Sequence, residues 1–245
     1  MSQQDNKEMA KYFYRASVAD FGKIPGSPIV YWAGASLRGV YNSYKALESI
    51  SKPRQGMATT NNGLFVRGWF EVSLNKISFH SNSEESALAS MKKWFPYNKG
   101  GEYRKWYGNN EHVVNYEYSG KTICDYIDNT PGAKVGSNGR VINRDKYFQP
   151  SVTWSFVSSS YFGVRYSPGG SVFDVGGSSI FMDDPKDLIG LSGLMCSKLS
   201  TLFMSLVNPT LNFQVGNVCT IPVTETITTD VVIKLVTKII FLSIS

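Results

Sequence analysis

Between Trp94 and Met182 the chain is written in short bursts. EHVVNYEY, SVTWSFV, YFGVRYS and SVFDVGG are rich in Val, Tyr and Phe, and Gly, Pro and Asn separate them. β-Branched and aromatic residues suit a pleated, half-buried surface, whereas Gly, Pro and Asn punctuate it. Such a middle predicts several short strands, with no room for a long helix. Helical patterns flank it. Leu37, Val40, Tyr41, Tyr44 and Leu47 recur at spacings of three and four, a helical stripe over residues 35–50 that Pro53 ends. Ser83 opens SEESALASMK as the cap of a short helix, with Glu85 or Ser86 at the position that completes a capping box. Asp183-Asp184-Pro185 sets up a helix start, and DLIGLSGLMCSKLSTLFMSLV follows as one long apolar helix ended by Asn208-Pro209. Asn61-Asn62-Gly63 reads as a turn, LFVRGWFEVSL as a strand, and LNFQVGNVCTIPVT as strand and loop. Residues 1–24 read as an amphipathic helix or ordered arm, broken by IPGSP. The fold class expected is α+β, with β dominating the middle.

Several chemistries lack their motifs. GxxxxGK[ST], GxGxxG, GxSxG and HExxH are all absent. The three cysteines and two histidines form no set with zinc-ligand spacing, so no metal and no disulfide framework is expected. An odd cysteine count and the polar start MSQQDNKEMAKYFYR, which has no apolar signal core, point to a reducing cytoplasmic compartment. The C-terminal VVIKLVTKIIFLSIS is apolar, but it is shorter than the roughly 20 residues a span needs and lysines interrupt it. It reads as a core or interface helix or strand, and no membrane partner is expected.

Charge is distributed unevenly. Residues 86–166 carry eleven Lys and Arg against six Asp and Glu, an excess of five in a chain whose net charge is +6. A localised basic excess is the footprint of a polyanion-binding face. Within it, KWFPYNKGGEYRKWYGNNEHVVNYEY (93–118) interleaves cations with aromatics and glycines. Lys99, Arg104 and Lys105 are suited to phosphate, and Asn109 and the arginines to base edges. The alternative is an aromatic-rich turn between strands whose glycines serve the fold.

IPGSPIVYW, QGMATTNNGLFVRGWFEV, KWFPYNKGGEYRKWYGNNEHVVNYE, PSVTWSFV, FDVGGSSIF and NPTLNFQVGNVCTIPV occur in this order between Ile24 and Val223. Together they resemble the C-terminal half of the adenine-specific DNA methyltransferases of bacteriophage-exclusion (BREX) systems, which are similar to type IIG restriction–modification enzymes. The resemblance implies a β-rich target-recognition domain with flanking helices, similar to the specificity domain of type I and IIG enzymes. It implies double-stranded DNA as partner, alongside a separate catalytic subunit or other phage-defence subunits. S-Adenosylmethionine would bind the family's catalytic domain, which this sequence lacks, so no cofactor and no methyl transfer are expected of this chain alone. Asn208-Pro209-Thr210-Leu211 lacks the second proline and the aromatic of the family's Asn-Pro-Pro-Tyr motif and is not its counterpart.

The implied organisation is a helical arm over 1–54, a recognition domain over 55–223 and a shortened helix or strand over 224–245. Relatives continue beyond TIPV, so the chain reads as a shortened gene product whose apolar end is exposed or buried in a homodimer. The implied DNA-contacting residues are Thr59, Asn61 and Arg67 in the first block, Lys99, Arg104, Lys105 and Asn109 in the second, and Arg140, Arg144 and Lys146 in the variable loop that begins at Asn129. Thr60 stands where the family has glycine. Two other functions compete: a structural or protein-interaction remnant that does not touch DNA, and a cryptic enzyme such as a nuclease.

Overall fold

The computed structural model describes residues 9–10, 13–14, 17–158, 161–208 and 210–244. The helices are α1 (Val18–Phe21), α2 (Ala35–Ser43), α3 (Asn62–Phe65), α4 (Glu84–Ala89), α5 (Glu117–Asp128), α6 (Pro185–Met195), α7 (Lys198–Val207), α8 (Val215–Cys219) and α9 (Asp230–Ile244). The strands are β1 (Lys45–Ala46), β2 (Val66–Gly68), β3 (Trp94–Asn98), β4 (His112–Asn115), β5 (Ser151–Trp154), β6 (Val164–Ser167), β7 (Val172–Phe173), β8 (Ser179–Ile180) and β9 (Pro222–Val223). They form three small sheets, ordered β2-β4-β3-β7, β6-β5-β8 and β1-β9. All pairings are antiparallel except β3 with β7. The class is α+β, as expected.

Two apolar cores sit side by side. One packs α5 onto the four-stranded sheet through Phe95, Val114, Ile123, Ile127, Phe148 and Phe173. The other packs α6, α7 and α8 around the three-stranded sheet through Trp154, Val164, Leu188, Leu191, Phe203 and Val218. Leu47 and Ile227 lie in this second core with Val152, so the segments before residue 55 and after 223 pack into the same body as the middle. β5 is buried along its whole length, and its polar groups are matched: Thr153 Oγ1 donates to the Gly177 carbonyl at 3.0 Å and Trp154 Nε1 to the Phe213 carbonyl at 2.8 Å.

Capping signals are where the sequence placed them. Ser83 Oγ accepts the Ser86 amide and Ser86 Oγ accepts the Ser83 amide, both at 3.1 Å. Asp184 caps α6 with Pro185 at its start. The single long helix expected after it is instead two, bent by 70°. Ser197 explains the break, because its hydroxyl accepts the Leu199 and Ser200 amides and starts α7 afresh. The stripe over 35–50 is helical only to Ser43, since Lys45-Ala46 leaves to pair with Pro222-Val223. The expected strand LFVRGWFEVSL is strand only at Val66–Gly68; α3 precedes it and 3₁₀ turns follow. The turn expected at Asn61 is a helix cap, with Asn61 Oδ1 accepting the Leu64 amide at 3.1 Å. The middle is mostly strand among its regular elements, as expected, with one helix, α5, that contains a left-handed turn at Tyr118, Ser119 and Gly120 near its start. The segment expected as strand and loop after Asn208 includes helix α8. The C-terminal segment is helix α9, which packs on α6 through Val236 and Ile240. Residues 1–8, 11–12 and 15–16 of the expected N-terminal arm, and Pro209, lie outside the described residues. Among the described residues no single helix is long and apolar enough to cross a membrane.

Candidate nucleic-acid interface

β3 runs out of the four-stranded sheet into Lys99-Gly100-Gly101, where it crosses the chain at Asp174–Gly177. The two backbones touch with no space for side chains. A Cβ at Gly100 would lie 2.2 Å from the Gly176 carbonyl oxygen, and one at Gly177 would lie 2.1 Å from that of Asn98. Gly100 also has φ +81°, a region that side chains disfavour. Asp174 ties the crossing together. Its amide donates to the Asn98 carbonyl at 2.8 Å, and its carboxylate accepts Tyr97 Oη at 2.6 Å, Lys99 Nζ at 3.2 Å and the Gly176 amide at 2.6 Å. Burial, with the Asp174 carboxylate alongside, holds the Tyr97 hydroxyl far above the usual phenol range. Lys99 is thus neutralised within the fold, with its ammonium 5.8 Å from the Tyr97 ring centre.

From Gly101 the chain loops to β4 and is strapped to β6 halfway. The Trp106 amide donates to the Val164 carbonyl at 3.0 Å, and the Trp106 carbonyl accepts the Tyr166 amide at 2.8 Å. Asn109, buried and at φ +59°, closes the loop by donating from Nδ2 to the Glu102 carbonyl at 2.9 Å. Arg104 is exposed and Lys105 half-buried, and neither side chain has a hydrogen bond or ion pair among the described residues. The stem of Arg104 runs beside Gly108. Under this loop Arg165 is 2% exposed and meets only neutral groups, Ser155 Oγ at 3.1 Å and the Gly163 carbonyl at 3.3 Å. Burial pushes its pKa down to about 10. Arg165 therefore adds to the sequence's basic count without adding to its surface.

The remaining candidates divide the same way. Thr59 is buried, its hydroxyl donating to Asn62 Oδ1 at 2.7 Å. Asn61, besides capping α3, donates to Tyr126 Oη at 3.1 Å. Arg67 folds back onto the Gly63 and Val66 carbonyls at 2.7 and 2.6 Å. Arg144 holds the left-handed turn near the start of α5, donating to Tyr116 Oη at 3.0 Å and to the Ser119 carbonyl at 2.6 Å, with Glu84 at 3.8 Å. Lys146 lies 6.0 Å from the Phe181 ring centre, in a depression that also holds Lys52 and Arg54 together with the acids Glu48 and Asp183. Arg140 is exposed, and its side chain has no partner among the described residues. Among the described residues Arg104, Lys105, Arg140 and Lys146 have no ion-pair partner, and the fold commits Thr59, Asn61, Arg67, Lys99, Asn109 and Arg144 to local structure. Among the described residues no group of His, Cys, Asp or Glu is arranged to hold a metal ion.

Sequence reasoning missed an aromatic cleft of 430 Å³ beside this loop, lined by Trp69, Phe79, Tyr107 and His112. Its signal was the Trp69-Phe70 pair, which was assigned to a strand.

No family model matches the chain. It is 41% identical over 216 residues to the adenine-specific methyltransferase PglX of Lacticaseibacillus casei, covering 87% of this chain and 18% of that protein. It is 40% identical over 208 residues to the adenine-specific methyltransferase BrxX of Escherichia coli, covering 83% of this chain and 16% of that protein. The chain spans less than a fifth of the length of these curated relatives. Over 83–87% of its length the chain is homologous to one segment of these adenine-specific methyltransferases.

Proposed function

We propose that this chain is a DNA-recognition module of an adenine-specific methyltransferase of a phage-exclusion system, binding duplex DNA without transferring methyl groups itself. The observation that carries the reading is the loop between β3 and β4. It is pinned at both ends by the glycine crossing and the Asn109 clamp and strapped at Trp106, yet it presents Arg104 and Lys105 with no hydrogen-bond or ion-pair partner among the described residues. A rigid platform bearing uncommitted cations suits phosphate, because the cations lose little freedom and give up no internal pair on binding. Arg140 and Lys146 extend the cationic set. The likeness to a specificity domain, the use of S-adenosylmethionine by a separate catalytic part, and the pairing of this chain with that part belong to the same proposal. Fluorescence anisotropy with a labelled duplex across a salt series tests it. Affinity should fall steeply as salt rises, and absence of duplex binding at low salt would contradict it.

A second reading is favoured by a different observation. Val231, Leu235 and Ile239 form an exposed apolar stripe along α9, away from the face that packs on α6. Such a stripe suits a protein partner, either a second copy of this chain or another phage-defence subunit. Sedimentation of Leu235→Glu against the unaltered chain tests it: a mass that falls to that of the monomer supports self-association.

A further inference from the structure

We propose that the cleft between the 69–79 segment and the β3–β4 loop is a pocket for a single unpaired nucleobase, a site that deepens the DNA-recognition reading and rests on it. Its walls are the rings of Trp69, Phe79 and Tyr107, and no charged side chain lines it. Two of its polar residues, Asn98 and Ser167, are buried and joined to each other, Asn98 Nδ2 donating to Ser167 Oγ at 3.1 Å, and the Asn110 amide and His112 imidazole are the groups suited to read a base edge. The Asn110 amide makes no hydrogen bond among the described residues, and His112 Nδ1 has no partner there. Trp69 is 43% and Phe79 45% exposed, large apolar rings that remain in water in the unliganded chain. A planar neutral heterocycle with donors and acceptors on its edge fits such a lining better than a charged or flexible group.

The cleft is built rather than incidental. The Trp69 amide donates to the Glu111 carbonyl at 2.9 Å beside the Gly68–His112 register of β2 and β4, which sets Trp69 next to His112. Phe70 stands edge-on to Trp69 with ring centres 5.8 Å apart. The Ser78 amide donates to the Trp94 carbonyl at 2.9 Å, laying the Phe79 segment along β3. Gly170 fixes that segment from behind, since a Cβ there would lie 2.9 Å from the Phe79 carbonyl oxygen.

The choice of a nucleobase over a partner's side chain rests on continuity with the cations. Tyr107 and Asn110 come from the same strapped loop that displays Arg104 and Lys105. Phosphates bound by that loop place their strand at the mouth of the cleft, and a base swung out of the stack can enter between the rings.

The test compares two labelled duplexes, one fully paired and one identical but for a single bulged adenine. Binding of each is measured by anisotropy to the unaltered chain, Trp69→Ala and Trp69→Phe, with melting curves to confirm that the variants fold. The bulged duplex should bind about tenfold tighter than the paired one, as expected for one base stacked on aromatic rings. Trp69→Ala should erase that preference while leaving paired binding unchanged, and Trp69→Phe should keep most of it. Equal affinity for both duplexes, or a preference that survives Trp69→Ala, overturns the pocket and leaves duplex recognition standing; a cleft that seats a protein side chain would give this result. Binding to neither duplex overturns both.

Discussion

The β3–β4 loop and the 129–146 segment look alike as sequence, both rich in glycine and cations, but the fold uses them differently. In the first, Gly100 is enforced by a backbone 2.2 Å from where its Cβ would be, and Trp106 and Asn109 fix the rest. In the second, Gly132 has φ +76° and nothing within 4 Å of an added Cβ. That segment is anchored mainly toward its end: Asp128 accepts the Ser137 amide and hydroxyl at 2.7 Å, the Arg140 carbonyl accepts the Ala58 amide at 2.8 Å, Asn143 donates to the Gln55 carbonyl at 2.9 Å and Arg144 to the Ser119 carbonyl at 2.6 Å. Gly100 in the loop is a packing requirement, whereas Gly132 in the segment is only a turn requirement. Cations follow the same division, with Lys99 and Arg144 spent on internal pairs and Arg104 and Arg140 left outward.

The contrast can be broken most sharply at the glycines. Gly100→Ala should destabilise the chain by about 3 kcal/mol or more, since both the contact and the left-handed backbone oppose a side chain. Gly132→Ala should cost only about 1 kcal/mol, from backbone strain alone. Urea denaturation of both variants checks this, and equal losses would contradict the distinction. Next in size, Arg144→Ala should cost about 2 kcal/mol by leaving the Ser119 carbonyl and Tyr116 hydroxyl without their donor; its half-exposed contact with Glu84 adds little. Arg140→Ala should leave stability within about 0.5 kcal/mol, as for an exposed side chain with no partner.

A pH series sharpens the account of the cores. Tyr97, Tyr116 and Tyr147 are held protonated above the ordinary phenol value of 10.0 by burial. Their folded pKa values exceed the unfolded one, so their contribution is complete below pH 10 and is lost as pH rises beyond it. Arg165 acts in the opposite sense, since its lowered pKa means that loss of its proton above about 10 relieves a buried charge. Three groups outweigh one, and the melting temperature should fall above pH 10. A small effect of opposite sign is expected at Thr60, which has φ +59° where a β-branched side chain is strained. Thr60→Gly should raise stability by less than about 1 kcal/mol, measured as a small upward shift in melting temperature.

Features fixed by neighbours in sequence were legible: the Ser83 and Asp184 caps, the strand centres at Val113, Val152 and Val164, and the α+β class. Features fixed by distant partners were not. Lys45-Ala46 leaves its helical stripe to meet Pro222-Val223, and the left-handed turn near the start of α5 is held by Arg144. The KGG block was recognisable, but whether its residues face solvent or fold could not be read, because Asp174 and Gly176 lie about seventy residues onward. Arg104 and Lys99 have the same chemistry in sequence and differ only through that partner.

The most direct test of this division is the salt dependence of duplex binding by the unaltered chain, Arg104→Ala and Thr60→Gly. Log affinity should fall linearly with log salt. Arg104→Ala should weaken binding about tenfold and lower the slope by about one phosphate contact, while Thr60→Gly should bind as the unaltered chain does. Affinity that ignores salt, or that Arg104→Ala leaves unchanged, would contradict the assignment of this loop to DNA.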